Sequence, residues 1–400
     1  MASLLTTVAL CSSWALGSTL LPRQSSSNTA VVDLSVNNGS PKHLASGVLY
    51  GIPDTPNQIP DSFYTDMGFN YARVGGAQLD AGGWIYGLNA YYARFNSTRN
   101  NYNTARKYGA PLISDLKANN MLNGLVWDIW NEPDGSFWAR SQQQYLQLYV
   151  RTHRRLRQDS ALNQVQISGP ASASQPSSSN TWFKNWLSTV VQNNTIPDQY
   201  AWHDEPGDLK NDIPAFNALL KQYNAPARTI NINEYATFDQ QNSAGAAWWI
   251  SRLERYNAIG LRGNWLSGCQ LHDFLASLLG KSNTNDCTGT GYYTNGEYQV
   301  YKYYNKNMTG TRAGTTTSGD GTLDVYTTIG SSTVRTLTGV LTSTGTWYIN
   351  IKNLSSVGLP TSGSFTIQTW GFDDKGHFGR VDGPSNRGKQ NPDAIRVSCY

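Results

Sequence analysis

Short apolar runs alternate with helical patterns from about residue 47 to residue 305, and this alternation limits the chain to few folds. The strand-like runs are "GVLYGI", "FNYARVGG", "NGLVWDIWNE", "QVQISGP", "QYAWHD", "TININEYA" and "GLRGNWL". Between them lie amphipathic stretches such as "QQYLQLYVRTHRRLRQ", "TWFKNWLSTVVQNN", "IPAFNALLKQY" and "AGAAWWISRLERYNA". Strands that alternate with helices over this length predict a parallel sheet, and most economically a (β/α)8 TIM-type barrel.

One strand of that barrel is hard to find. Between "RVGG" and "NGLVW" the sequence has two helical patterns with almost nothing apolar between them. The third barrel strand is therefore either cryptic or missing. A gap there would expose unpaired backbone groups on both neighbouring strands.

The pattern changes after residue 305. The stretch "MTGTRAGTTTSGDG" is typical of a linker or loop, and the runs "TLDVYTTIG", "TVRTLTGVL", "TWYINIKNL", "SFTIQTWGF" and "AIRVSC" alternate with turn signals. They predict a C-terminal antiparallel β-sandwich. The early run "TAVVDLSV" also alternates and is expected to add a strand to it. We thus predict a signal peptide in 1–17, an N-terminal segment in 18–46, the barrel in 47–305 and the sandwich in 306–400.

The first residues indicate secretion. "LLTTVALCSSWALG" is a short apolar segment ending in small residues, with a plausible cleavage point after Gly17. It is too short and too polar for a membrane span, and no other segment approaches about 18 unbroken apolar residues. We therefore predict a secreted protein without a membrane anchor. Acceptor motifs for N-glycosylation fit this route and stand at Asn38, Asn96, Asn193, Asn307 and Asn353.

The cysteine spacing and the charge argue against metal-binding and nucleic-acid-binding functions. Cleavage would remove Cys11, and the spacing of Cys269 and Cys287 suits a disulfide, while the pairing of Cys399 stays open. No Cys/His spacing resembles a metal site, so neither metal nor cofactor is expected. The chain has 31 Lys and Arg against 27 Asp and Glu, and its one basic cluster, "RTHRRLR", is typical of a solvated helix face. Nucleic acid is not an expected partner, and we expect a monomer.

Two glutamates carry the expected chemistry. Glu132 follows the apolar run "GLVWDIW", and Glu234 follows "TININ". Residues at the C-terminal ends of barrel strands line the active face. Two carboxylates about 5–5.5 Å apart are what a retaining glycoside hydrolase needs, because one protonates the leaving oxygen while the other attacks the anomeric carbon. Trp127 and Trp130 flank Glu132, so we expect burial beside aromatic rings to raise its pKa.

The motifs "WDIWNEPD" and "NINEYA" resemble the acid/base and nucleophile motifs of clan A glycoside hydrolases. The wider layout is most similar to glycoside hydrolase family 39 and its secreted fungal relatives, over most of the chain. These motifs are specific to the clan and much less specific to the family. The resemblance implies that Glu132 is the general acid/base, that Glu234 is the nucleophile and that the partner is a carbohydrate substrate.

The resemblance also implies four substrate-binding residues. Asn131 would bind the sugar 2-hydroxyl, and Arg73 matches an arginine of the second strand near the nucleophile, although a salt bridge at the barrel end would explain it equally well. His203 matches a polar residue after the sixth strand; alternatively, hydrogen bonds merely satisfy it. Trp265 matches the aromatic floor under the sugar, or it packs in the core.

Two nearby acids are harder to place. Asp204 and Glu205 are expected to be loop acids that could touch substrate.

The short third unit sets this chain apart from related barrels. A missing strand would remove one wall of the cleft. Two functions therefore remain: a secreted retaining glycosidase acting on a plant or fungal cell-wall polysaccharide or oligosaccharide, and a non-catalytic carbohydrate-binding protein that has kept the motifs.

Overall fold

The structure is a computed structural model that describes residues 5–9, 26–53, 55–74, 113–114, 116–288, 290–362, 366–390 and 396–399. These residues divide into two compact units. The first unit lies within Met1–Ala72, Ala236–Asn257 and Arg262–Tyr400. The second unit lies within Arg73–Tyr235 and Ala258–Leu261. The boundaries expected at residues 17, 46 and 305 remain predictions.

Most of the described strands lie within the runs that the sequence predicts, with shorter ends. In chain order the strands are β1 Leu5–Ala9, β2 Thr29–Asp33, β3 Gly47–Leu49, β4 Tyr71–Arg73, β5 Val126–Asp128, β6 Gln166–Ser172, β7 Gln199–Asp204, β8 Thr229–Tyr235, β9 Ala258–Arg262, β10 Leu279–Gly280, β11 Tyr293–Thr294, β12 Thr311–Arg312, β13 Gly314–Thr316, β14 Asp324–Ile329, β15 Thr333–Gly339, β16 Gly345–Lys352, β17 Ile367–Gly371, β18 Ser385–Gln390 and β19 Arg396–Cys399.

Most of the described helices follow a residue whose side chain caps them. The helices are α1 Asp61–Met67, α2 Gln142–Arg157, α3 Thr181–Gln192, α4 Leu209–Gln222, α5 Ser243–Tyr256, α6 Gln270–Asp273 and α7 Gly296–Asn307. Ser141, Asn180 and Asp208 each accept a hydrogen bond from a backbone N–H in the first turn of the helix that follows. Such a bond satisfies one of the free donors at a helix start. None of the described helices is long and apolar enough to cross a membrane.

Seven strands form the barrel-like sheet, in the order β4-β3-β9-β8-β7-β6-β5. Strands β5, β6, β7 and β8 pair in parallel. The predicted TIM-type barrel is therefore confirmed as a curled sheet of seven strands with helices between them. Among the described strands, β4 and β5 are the two ends of this sheet, and the predicted gap lies between them in sequence. Most of that segment, 75–112, lies outside the described residues.

Aromatic side chains fill the space between the sheet and the helices of the second unit. Tyr149 and Phe183 pack edge-on against Trp186 with ring centroids 5.6 and 5.5 Å apart. Tyr200 and Trp202 of β7 contact Phe216 of α4 at 4.9 and 5.1 Å. Buried aromatic pairs at these separations contribute beyond their area alone. This packing holds the helices on the strands that carry the candidate site residues.

Two further sheets make up the sandwich of the first unit. Their orders are β12-β14-β15-β1-β17-β18 and β13-β2-β16-β19. Buried residues of both sheets, among them Val32, Val325, Val334 and Trp347, form one apolar cluster. Most neighbouring strands are antiparallel, as predicted, but β2 pairs in parallel with β16, and β1 pairs in parallel with β15 and β17. Both exceptions come from the distant N-terminal part of the chain, which no hairpin constrains.

Four details differ from the sequence predictions or bear on them. The presumed linker after α7 contains two short strands, β12 and β13. Strand β18 has the polar sequence "SNRGKQ", which lacks alternation, and it is held by backbone pairing with β17. Strand β1 lies inside the predicted signal peptide, whose removal stays a prediction. The disulfide between Cys269 and Cys287 is present, with Cα atoms 5.8 Å apart.

Candidate active site

Arg73 joins the candidate residues of three strands. Its Nε donates to Asp128 Oδ2 at 2.7 Å, its Nη1 to Glu234 Oε1 at 2.5 Å, and its Nη2 to Asn131 Oδ1 at 2.6 Å. Arg73 ends β4, Asp128 ends β5, and Glu234 lies in β8. The planar guanidinium suits such fixed contacts, because its donors form a rigid fork. Arg73 therefore forms ion pairs and also contacts the predicted nucleophile.

His203 lies between the two glutamates. Its Nδ1 is 3.0 Å from Glu132 Oε1 and 3.7 Å from Glu234 Oε2. One oxygen of each carboxylate and one nitrogen of His203 all lie within 4.8 Å of one another. Because an ionised carboxylate only accepts hydrogen bonds, the Nδ1 atom carries the proton. The structure thus brings Arg73, Asn131, Glu132, His203 and Glu234 together.

Glu132 reaches this site from an irregular segment. Strand β5 ends at Asp128, so Glu132 does not end the strand as its motif suggests. The backbone N–H of Glu132 still donates to Ala171 O of β6 at 2.9 Å, and Glu132 has φ 46°. A left-handed conformation costs a non-glycine residue about 1–3 kcal/mol and is concentrated at functional sites. The chain accepts this cost where Glu132 turns toward His203.

The expectation of a raised pKa at Glu132 is wrong for this structure. The hydrogen bond from His203 lowers the pKa of Glu132, and this effect outweighs the desolvation by burial that would raise it. The charge of Arg73 acts in the same direction. The flanking tryptophans do not change this balance: Trp127 packs in an apolar cluster with Ile167, and Trp130 donates its indole N–H to Phe137 O.

Sequence reasoning missed three supporting residues. Besides accepting from Arg73, Asp128 Oδ2 accepts from Asn233 Nδ2 at 3.1 Å. The last acid of the motif, Asp134, accepts from Ala173 N at 2.8 Å and from Ser174 N at 3.0 Å, which fixes the loop after β6. The motif "DIWNEPD" carried all the signal needed to notice Asp128 and Asp134, since acids in a strand-end motif need partners.

Asp204 is not the loop acid that the sequence suggested. It is the last residue of β7 and fully buried. Burial raises the pKa of Asp204, and the neighbouring carboxyl of Asp212 in α4 raises it further. Glu205 is half-buried. Strand β7 continues one residue beyond His203 and so includes Asp204. The Asp204 side chain therefore lies beside Asp212 of α4, where β7 packs on that helix.

Several predicted residues lie elsewhere. Trp265 belongs to the first unit, where it is 47% exposed and donates its indole N–H to Ala236 O at 3.1 Å. Core packing therefore does not explain Trp265, and its role as a sugar floor stays a prediction. Among the predicted glycosylation sites, Asn38, Asn307 and Asn353 are exposed and Asn193 is half-buried. Asn96 lies outside the described residues.

Glu132, His203 and Glu234 lie close enough together to offer three ligand atoms to a cation. The charges oppose this use. Arg73 already holds Glu234 Oε1, and the His203 proton points at Glu132. The donor set therefore favours acid–base chemistry over metal binding.

Comparison with solved structures supports the fold. The chain superposes on a protein of Neocallimastix frontalis with a TM-score of 0.68 at 23% identity, covering 93% of this chain and 96% of the other. The chain shares its fold with solved glycoside hydrolases as well. It is also similar to a family 39 β-xylosidase from Caulobacter crescentus, with a TM-score of 0.51, 14% identity and coverage of 85% and 83%. A family 30 subfamily 8 xylanase from Clostridium acetobutylicum gives a TM-score of 0.50, 14% identity and coverage of 93% and 97%.

Comparison of the sequence with known families and proteins assigns no family to the chain. Neither a protein-family model nor a curated protein sequence matches the chain.

Proposed function

We propose that the chain is a secreted, monomeric, retaining glycoside hydrolase related to family 39, acting on a plant or fungal cell-wall polysaccharide or oligosaccharide. The observation that carries this proposal is the pair Glu132 and Glu234, with carboxylate oxygens within 4.8 Å, held by His203 and Arg73. That separation suits double displacement. An inverting enzyme needs its carboxyl groups about 6.5–9.5 Å apart to admit a water molecule between them and the sugar.

In the first step Glu234 is the nucleophile. One of its oxygens attacks the anomeric carbon, the bond from that carbon to the leaving oxygen breaks, and Glu132 donates a proton to the leaving oxygen. The product is a glycosyl ester on Glu234. Arg73 orients Glu234, because its Nη1 lies 2.5 Å from Oε1.

In the second step Glu132 acts as the base. It accepts a proton from a water molecule, the water oxygen attacks the anomeric carbon, and the ester bond to Glu234 breaks. Asn131 takes part in both steps. Since Arg73 holds its side-chain oxygen, its amide nitrogen is left to donate to the sugar 2-hydroxyl.

Glu132 must be protonated before the first step, although its pKa is lowered in the free chain. A sugar ring that fills the cleft displaces water from this carboxylate. Loss of solvation favours the neutral form. We therefore expect substrate binding to raise the pKa of Glu132 toward the value that a general acid needs.

The first test is hydrolysis of a panel of aryl β-glycosides and cell-wall polysaccharides by the purified chain and by Glu234→Gln. Xylosides and xylan belong in the panel, because two of the similar structures are a β-xylosidase and a xylanase. The proposal predicts release by the wild type and a loss of at least about 1,000-fold in the variant, since the covalent step needs an ionised nucleophile. Circular dichroism of both proteins verifies that each is folded.

The second candidate is a non-catalytic carbohydrate-binding protein. The sequence between "RVGG" and "NGLVW" favours it, because this segment has almost nothing apolar with which to form the third strand that would complete the cleft. It predicts that folded wild-type chain and Glu234→Gln bind the same polysaccharide and release nothing. Release that depends on Glu234 excludes this candidate.

A further inference from the structure

We propose that Asp128 is a positioning residue that fixes the guanidinium of Arg73 and shares its charge, so that the nucleophile Glu234 and the sugar-binding Asn131 keep their alignment. This inference rests on the proposed function and deepens it. Asp128 itself would touch neither the sugar nor the reacting atoms.

The contacts of Arg73 with Glu234, Asn131 and Asp128 have different roles. Its two terminal nitrogens hold Glu234 Oε1 and Asn131 Oδ1 at 2.5 and 2.6 Å. Its Nε, the atom nearest the side-chain stem, donates to Asp128 Oδ2 at 2.7 Å. Without a partner on Nε, the guanidinium plane can turn about the bond that attaches it to the stem. Asp128 removes that freedom, which would otherwise move both terminal contacts together.

Asp128 is itself held in place on two sides. Its strand pairs with β6, where Asp128 lies opposite Ser168. Its Oδ2 also accepts from the amide of Asn233 at 3.1 Å, and Asn233 is fully buried beside Glu234 in β8. The carboxylate therefore ties the ends of β4, β5 and β8 at the point where the nucleophile stands. An anchor fixed on both sides can orient Arg73.

Charge makes Asp128 more than a mechanical support. One guanidinium faces two carboxylates, on Asp128 and on Glu234, with side chains that are 21% and 17% exposed. If Asp128 becomes neutral, the positive charge of Arg73 is no longer shared between these two carboxylates and acts more strongly on Glu234. An opposite charge this close favours the ionised carboxylate and makes it a weaker nucleophile. The acid side of the pH–rate profile then moves to lower pH while the maximal rate falls.

The variants Asp128→Asn and Asp128→Ala separate charge from orientation. Asn keeps an oxygen that accepts from Arg73 and Asn233, and Ala keeps none. For Asp128→Asn we expect kcat to fall about 10- to 100-fold with little change in KM, and the acid limb of kcat/KM to move down by about one pH unit. For Asp128→Ala we expect a larger loss of kcat, because both terminal contacts of Arg73 are released.

Asp198→Asn is the matched control. Asp198 pairs with Arg157 in the same unit and precedes β7, at the opposite end of that strand from His203. We expect this variant to change the melting temperature only, with the wild-type pH profile. A pH profile of Asp128→Asn that coincides with that of Asp198→Asn would reduce Asp128 to a structural residue and overturn the inference.

An inactive wild type would refute the proposed function and still leave the inference decidable. A crystal structure of Asp128→Ala then replaces kinetics. We expect the Arg73 Nη1 to Glu234 contact to be lost or lengthened beyond hydrogen-bond reach in that variant. Arg73 in its original place, with both terminal contacts intact, would show that Asp128 does not position it.

Discussion

At the scale of single residues, the site depends on which of the two carboxylates accepts the hydrogen bond from His203 Nδ1. Its Nδ1 lies 3.0 Å from Glu132 and 3.7 Å from Glu234, so the hydrogen bond belongs to Glu132. The same hydrogen bond is the largest cause of the lowered pKa of Glu132. Sequence could predict that Glu132 and Glu234 meet, because both follow apolar strands. It could not predict the direction of the pKa change, which depends on a contact between residues 71 positions apart.

We predict that His203→Phe raises the pKa of Glu132, because the ring then offers no donor to the carboxylate. The basic limb of the pH–rate profile, which reports loss of the general acid's proton, should move to higher pH. His153→Phe is the control, since this buried histidine of α2 bonds to Ile196 O instead. An unchanged basic limb in His203→Phe would contradict the assignment.

The stability of the same variant tests the direction of the pKa shift of Glu132. A carboxyl whose pKa is lowered in the folded chain stabilises that chain above its ordinary pKa, and this contribution disappears as pH falls through the lowered pKa. The difference in melting temperature between wild type and His203→Phe should therefore be larger at pH 7 than at pH 3. A difference that grows toward acid pH would refute the cause given for the shift.

At the scale of elements, buried ion pairs hold α5 to the sandwich of the first unit. Asp324, the first residue of β14, accepts from Arg255 Nη1 at 2.9 Å and pairs with Arg252 Nε at 3.0 Å. The side chains of Asp324 and Arg252 are fully buried. The amphipathic pattern of α5 predicts the helix, but not these partners, because nothing in the local sequence links residues so far apart.

We predict that Asp324→Ala lowers the free energy of unfolding by about 3–5 kcal/mol, because it removes the buried carboxylate that pairs with Arg252 and Arg255. Chemical denaturation of the variant and the wild type measures this loss. The control is Asp382→Ala, whose ion pair with Arg380 is largely exposed and should contribute less than about 1 kcal/mol. Equal losses in the two variants would show that burial of the Asp324 pairs does not set their contribution.

At the scale of the whole molecule, sequence predicted the architecture better than its details. The alternation of runs predicts the seven described strands of the barrel-like sheet, and the weak segment after "RVGG" lies in sequence between the two outermost of them, β4 and β5. Strand β18 could not be predicted, because backbone pairing with β17 holds a polar segment. The same limit applies to β12 and β13. Gly310, just before β12, has φ 99°, and a side chain there would clash with Ile329 O. Pairing of this kind leaves no apolar pattern in the sequence.

The central claim is double displacement with Glu234 as the nucleophile, and the stereochemistry of the first product tests it most directly. Proton NMR of the sugar released in the first minutes, before mutarotation, reports the configuration at the anomeric carbon. The spacing of Glu132 and Glu234 predicts the same configuration as in the substrate. Release of the opposite anomer would contradict the account, because it would require a water molecule, and not Glu234, to attack the sugar.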